Sequence, residues 1–249
     1  MIAIALLELK KITKRFGGLV ALRGISLSID KGELVGIIGP NGSGKTTIFN
    51  MISGVYKPDS GSIFFAGIDI TSYPPHRRAR MGIARAFQIP RPFPGLSVRE
   101  NVAVGALFGL GGEGLDIEDA LARADDVLRL VGLYEKRLEL AEKLTGSEKK
   151  ILELARAIAM SPRLLLLDEV MAGTPPASID KLAGIIRGLA REGMASVSLV
   201  EHVLRAVAKI VERAVVLYRG EVVLEGSVEE VLRSEKLREI YLGGARFVT

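Results

Sequence analysis

The chain has 249 residues, 48% hydrophobic and 25% charged, with a net charge of +5 from 34 basic and 29 acidic side chains. That is enough apolar material for one large buried core, with or without a smaller subdomain, and the charge is too evenly scattered to suggest a nucleic-acid-binding arm. Cysteine is absent and the two histidines, His76 and His202, stand far apart, which excludes disulfides, thiolate metal sites and histidine clusters, so any metal should arrive with a ligand.

In chain order, strands are expected at residues 7–11, 22–29, 34–38, 62–65, 83–87, 164–167, 196–200, 214–218 and 221–224, and helices at 46–53, 118–131, 148–160, 179–191 and 204–210. The start of the chain, residues 1–7, reads as the approach to the first strand. No apolar run reaches the roughly 18 residues that span a bilayer, so a soluble, intracellular protein is expected. The run His76-Arg77-Arg78-Ala79-Arg80 fits the solvated face of a short helix. Strands and helices alternate mainly at the two ends. The centre, about residues 90 to 160, is helical, opens with a Pro-rich run at 90–95 and carries a glycine-rich, flexible break at 109–114. This is a helical insert within an α/β core. Gln88 is the only glutamine and asparagine is scarce, a depletion of heat-labile side chains that fits a thermophilic source.

Directly after the apolar run 34–38 stands Gly39-Pro40-Asn41-Gly42-Ser43-Gly44-Lys45-Thr46. Glycines at this spacing let the backbone turn its N–H groups around a phosphate, and the following helix aims its positive end at the same anion. Lys45 would reach the terminal phosphates and the Thr46 hydroxyl would bind Mg2+. Alone, the octet could be a glycine-rich structural turn; its place between strand and helix points to a nucleoside triphosphate. Leu164-Leu165-Leu166-Leu167-Asp168-Glu169 is an apolar strand ending in two carboxylates. Without a phosphate loop it would read as a strand followed by an acidic helix cap. With one, Asp168 suits Mg2+ and Glu169 suits a general base.

Together with their surroundings these residues resemble the ATP-binding subunits of ABC transporters over nearly the whole chain. The resemblance implies a P-loop NTPase α/β core with a mixed sheet, an N-terminal antiparallel β subdomain and an inserted helical subdomain. Residues 1–249 would form one domain, with 1–88 and 161–249 as the RecA-like core and 89–160 as the helical part. It further implies that Phe16, in Lys14-Arg15-Phe16-Gly17-Gly18, stacks on adenine; that Gly39 to Thr47, including Thr47, holds ATP; that Gln88 senses Mg2+ and the attacking water; and that His202 contacts the γ-phosphate. Thr145, Gly146, Ser147 and Glu148 stand where the family's signature motif meets a partner's ATP. Residues 87–102, the ending 220–226 and Tyr241-Leu242-Gly243-Gly244 look most like the branched-chain amino acid importer branch.

The signature is also where the chain departs from its relatives. Ser147 takes a glycine position and Glu148 replaces an amide, Val170 follows Glu169 where proline is usual, and Pro175 stands where Asp or Asn is expected. The signature changes should weaken trans contact, leaving two readings: a drifted but working subunit paired with a second, different ATPase, which is favoured, or a subunit whose contribution to its partner's site is lost. The resemblance implies ATP and Mg2+ as cofactors and, as partners, a second ATP-binding subunit of the same or a different chain, membrane permease subunits and, indirectly, a solute-binding protein, with no nucleic acid. The expected location is the inner face of the cell membrane, with the groove from Gln88 to Leu96 docking the permease.

Overall fold

The computed structural model describes residues 5–171, 176–201 and 204–242. In order it runs β1 (Leu7–Phe16), β2 (Leu19–Ile29), β3 (Leu34–Ile38), α1 (Lys45–Ile52), β4 (Ser60–Phe65), β5 (Ile68–Asp69), α2 (Pro75–Arg80), β6 (Ile83–Ala86), α3 (Val98–Phe108), α4 (Ile117–Val131), α5 (Gly146–Ala159), β7 (Leu164–Asp168), α6 (Pro176–Arg191), β8 (Ser196–Val200), α7 (Leu204–Ile210), β9 (Arg213–Tyr218), β10 (Glu221–Ser227), α8 (Val228–Arg233) and α9 (Glu235–Leu242).

Strands β2-β1-β4-β5 make an antiparallel sheet, and a second sheet runs β10-β9-β3-β8-β7-β6, parallel except for the antiparallel β10 edge. The central strands β3, β7 and β8 are buried at every residue. That explains why their sequences are short and nearly all apolar: helices or a second sheet cover both faces, so no polar alternation is needed. Side chains of successive residues point to opposite faces. Val35, Ile37, Leu164 and Leu166 therefore pack with α1 and the antiparallel sheet, while Leu34, Ile38, Leu165 and Leu167 pack with the helical insert and the C-terminal helices.

Helices α3, α4 and α5 form the insert between β6 and β7 and start at side-chain caps. Ser97 and Glu100 close a capping box on α3, Asp116 caps α4, and Thr145 with Glu148 closes a capping box on α5. Helix α3 was not among the expected elements, nor were α8 and α9. The glycine-rich stretch after α3 is packed rather than loose: the Leu110 amide donates to the Met160 carbonyl at 2.9 Å, and a Cβ on Gly109 would meet Met160 at 2.4 Å.

The basic run at 76–80 does form a helix, but not with a uniformly solvated face. Arg78 is 1% exposed. Its fork donates to the carbonyls of Met51 at 2.5 Å, Ile52 at 2.9 Å, Ile70 at 2.6 Å, Thr71 at 3.1 Å and Tyr73 at 2.9 Å. The first two are carbonyls at the end of α1 that an α-helix leaves without internal partners, so Arg78 closes the helix that follows the glycine-rich turn. Burial pulls its pKa down to about 10, with Asp69 opposing, and it stays charged at neutral pH. Arg78→Met keeps the bulk and removes the donor to all five carbonyls, of which Met51 and Ile70 keep backbone donors from Gly54 at 3.2 Å and Tyr73 at 2.9 Å; unfolding in guanidinium should show a loss of about 3 kcal/mol. A change below about 1 kcal/mol would mean that these carbonyls find other donors.

Candidate active site

The chain leaves β3 through a turn that tolerates few side chains. Gly39 has φ +151°, and a Cβ there would stand 2.1 Å from the Leu217 carbonyl oxygen. Helix α1 then begins with no side-chain cap, so its first N–H groups and the positive end of its dipole face the turn, as an anion site requires. Lys45 is 5% exposed and its ammonium donates to the carbonyls of Gly39 at 2.7 Å and Pro40 at 2.9 Å. Burial lowers its pKa, while the carboxylates of Glu169 and Asp168 raise it. The Ser43 hydroxyl is buried without a hydrogen-bond partner.

This turn lines a cleft of about 570 Å³ with Phe16, Arg23, Asn41, Gly42, Gly44, Thr46, Thr47, Glu169 and Arg219. Phe16 ends β1, is 42% exposed, and meets the Tyr56 ring edge-on with centroids 5.2 Å apart. An exposed aromatic ring at the cleft wall offers a stacking face; core packing does not explain it.

Strand β7 carries the two carboxylates, and β8 lies between it and β3. Asp168 is 1% exposed; its Oδ2 accepts from Arg85 Nη2 at 2.5 Å. Its Oδ1 is buried with no hydrogen-bond partner. Burial raises the Asp168 pKa, and the Arg85 hydrogen bond pulls it back. Glu169 has φ +51°, a conformation that costs a non-glycine residue about 1–3 kcal/mol and is concentrated at functional sites. Contacts hold it there, among them its amide donating to the Val200 carbonyl at 2.8 Å and Gln88 Nε2 donating to its Oε2 at 2.5 Å.

Arg85 escaped the sequence reading. Its other amino group donates to Asn50 Oδ1 of α1 at 2.6 Å, and its guanidinium lies 4.7 Å from the Phe87 ring centre. It thus ties β6, α1 and β7 together. The available signal was a lone arginine in the otherwise apolar strand Ile-Ala-Arg-Ala, because a charge placed inside needs a partner.

The structure gathers Phe16, the glycine-rich turn, Lys45, Thr46, Thr47, Gln88, Asp168 and Glu169 around two clefts, the second of about 420 Å³ and lined by Thr46, Arg85, Gln88 and Asp168 among others. Thr145, Gly146, Ser147 and Glu148 line neither cleft. Glu148 accepts from the Thr145 amide at 2.9 Å and pairs with Lys136 at 2.8 Å; the Lys136 bond, the Thr145 amide and the Thr145 hydroxyl push its pKa down to about 2 against a small burial cost. His202 and Pro175 lie outside the described residues, as does Gly243-Gly244.

The residues fit Mg2+. Among the described residues no three His, Cys, Asp or Glu side chains could hold a metal by themselves, and Mg2+ is held through one or two protein oxygens plus phosphate and water. Asp168 Oδ1 is a buried acceptor still wanting a donor or cation, and Thr46 shares its cleft.

A glycine-rich turn and helix start after one parallel strand, with an acid pair ending another strand of the same sheet, define a P-loop nucleoside triphosphatase. Residues 22–172 match the ABC transporter family. The chain is 36% identical over 249 residues to the probable branched-chain amino acid transport ATP-binding protein LivG of Archaeoglobus fulgidus, covering 96% of this chain and 95% of that one. It is 38% identical over 238 residues to the lipopolysaccharide export system ATP-binding protein LptB of Acidithiobacillus ferridurans, covering 96% and 97%. A crystal structure of the ADP conformation of an ABC transporter ATP-binding cassette aligns with TM-score 0.86 at 31% identity, over 96% of this chain and 99% of that one. The protein belongs to the ABC transporter family as an ATP-binding subunit, an ATPase.

Replacing Arg85 with Leu leaves Asp168 a buried charge without its hydrogen-bonded partner, with Lys45 attracting it and Glu169 repelling it. Unfolding titrations should show a loss of about 3–5 kcal/mol, with part of it recovered in the Arg85→Leu, Asp168→Asn pair. Simple additivity of the two changes would dissolve the pairing.

Proposed function

We infer that this chain binds and hydrolyses ATP to drive a membrane ABC transporter, as an importer of branched-chain amino acids or similar small solutes. The observation that carries the hydrolytic reading is the Gln88 to Glu169 hydrogen bond of 2.5 Å beside the Lys45 turn. It supports the reading by orienting a carboxylate with an amide beside the Lys45 turn, where a terminal phosphate would lie. In this reading the amides from Gly39 to Thr47 and the Lys45 ammonium grip the triphosphate, and Phe16 stacks on the base. Thr46, Gln88 and Asp168 would hold Mg2+, which would supply charge to neutralise the phosphates. Glu169 takes the proton of a water positioned by Gln88 and His202 for in-line attack.

Residues 89–160 act as the helical subdomain against a core of 1–88 and 161–249, and the signature turn at Thr145–Glu148 reaches a second ATP-binding subunit. One set of contacts favours a working, drifted signature over a lost one. Thr145 caps α5 and the extra charge of Glu148 is taken up by Lys136, so the turn keeps its form. The alternative is a catalytically weakened regulatory subunit in an asymmetric pair. Single-turnover hydrolysis by this chain mixed with its partner subunit separates the two.

Import of branched-chain amino acids draws support from the name of the LivG relative and from residues 87–102 and the chain's ending. The permease would dock beside Gln88, where Phe87, Ile89 and Phe93 are 45%, 68% and 44% exposed. In this reading the chain sits on the cytoplasmic face of the membrane, held there by its partners. Among the described residues no helix is long and apolar enough to cross a membrane.

Glu169→Gln should lower turnover by about 10² to 10⁴ while ATP still binds, and Lys45→Ala should weaken binding itself; unchanged turnover in the first or unchanged affinity in the second rejects the corresponding role. Purified from native membranes, the wild-type chain should carry permease subunits whose vesicles show solute-stimulated hydrolysis, and Phe93→Ala should reduce their recovery. Full recovery with Phe93→Ala would move the docking surface elsewhere.

A further inference from the structure

Tyr241 lies on α9, at the far end of the chain from the phosphate turn, and nothing in the hydrolytic scheme uses it. Yet its phenolic oxygen accepts the Gly39 N–H at 3.0 Å. The ring packs against the core cluster formed with the helical insert and the C-terminal helices. Burial raises the phenol's pKa, with the Gly39 amide opposing, so the group is a neutral hydroxyl.

Gly39 is held from both sides. Its N–H goes to Tyr241 and its carbonyl to the Lys45 ammonium at 2.7 Å. These two bonds orient the peptide planes on either side of the Gly39 Cα, in a conformation at φ +151° whose back is pressed against the Leu217 carbonyl. A third tie, from the Gly220 amide to the Ser43 carbonyl at 3.0 Å, secures the far side of the turn. Of these ties, only the one from α9 comes from a side chain outside the turn. A phenylalanine would fill the same space and leave a part-buried N–H without its acceptor, a loss that falls on the turn rather than on the core.

Resting on the phosphate-loop reading, we propose that Tyr241 is a positioning residue for the phosphate turn: its hydroxyl fixes the Gly39 peptide, holds the turn in its anion-binding shape, and makes helix α9 a control point for nucleotide affinity. The structure places the bond between residues 202 positions apart, so anything that lifts α9 would loosen the turn without touching ATP.

The test uses the full-length chain with Tyr241→Phe and, as a packing control on the same helix, Ile240→Ala, whose side chain is partly buried against the same core. Three quantities are measured: hydrogen exchange of the peptide containing Gly39 without nucleotide, Kd for ATP, and melting temperature. Tyr241→Phe should speed exchange in that peptide and weaken ATP binding about fivefold to tenfold at nearly unchanged melting temperature. Ile240→Ala should lower the melting temperature and keep wild-type ATP affinity. ATP affinity within twofold of wild type in Tyr241→Phe overturns the proposal and leaves the phosphate-loop reading standing. Equal affinity loss in Ile240→Ala also overturns it, by making the effect one of packing. A wild-type chain that binds no ATP, with exchange still faster in Tyr241→Phe, overturns the phosphate-loop reading and the proposal with it.

Discussion

Four charged side chains taken out of water have to balance one another before any ligand arrives. Lys45, Asp168 and Glu169 are 5%, 1% and 9% exposed, and the Arg85 side chain is 5% exposed. An unpaired ion at such depth costs several kcal/mol, and two cations against two carboxylates bring the formal sum to zero. These charges come from the turn after β3, from β6 and from the end of β7, so the sheet has to bring three remote segments to one edge. Strand β8, lying between β3 and β7, sets the gap. Two strand spacings amount to about 10 Å, room for a terminal phosphate and its metal between the lysine turn and the acids.

The same need explains where the backbone departs from ordinary geometry. Gly39 sits at φ +151°, tight against Leu217, and Glu169 sits at φ +51°. The Glu169 conformation would be unfavourable in an isolated peptide, and the Gly39 conformation is one that glycine tolerates and a side chain would not. Here the Val200 carbonyl and the Gln88 amide hold Glu169, and the Lys45 and Tyr241 contacts hold Gly39. The surrounding packed core thus carries the unusual backbone at both residues, and Arg219, which lines the same cleft, shares the left-handed region at φ +49°.

What could be read from the sequence follows from which forces are local. Strands β3, β7 and β8 were legible because burial on both faces makes them continuous apolar runs, and the glycine-rich turn was legible because its spacing is itself the geometry. Helix α3 left a signal that was passed over: Ser97 followed three residues later by Glu100 is a capping box, masked by the prolines before it. Arg78 was misplaced because a run of basic residues does not say which one turns inward; that depends on the end of α1 lying above it. The Arg85–Asp168 and Tyr241–Gly39 contacts span 83 and 202 positions. Neither partner constrains its own neighbours, so only the fold reveals the pair.

The fuel chemistry and the cargo are written in different places. Lys45, Gln88, Asp168 and Glu169 would serve any transported solute equally, which is why relatives named for amino acid import and for lipopolysaccharide export match this chain about as well, at 36% and 38% identity. What distinguishes one assembly from another has to be carried by exposed surface. The surface beside Gln88 leaves large apolar side chains in water, Phe87 and Ile89 among them. These two flank the residue whose amide holds Glu169 at 2.5 Å. A partner that displaces this short segment must therefore move Gln88, and a displacement of an ångström is enough to break that hydrogen bond. In the proposed reading, partner recognition and control of hydrolysis would therefore be one mechanical unit, three residues long.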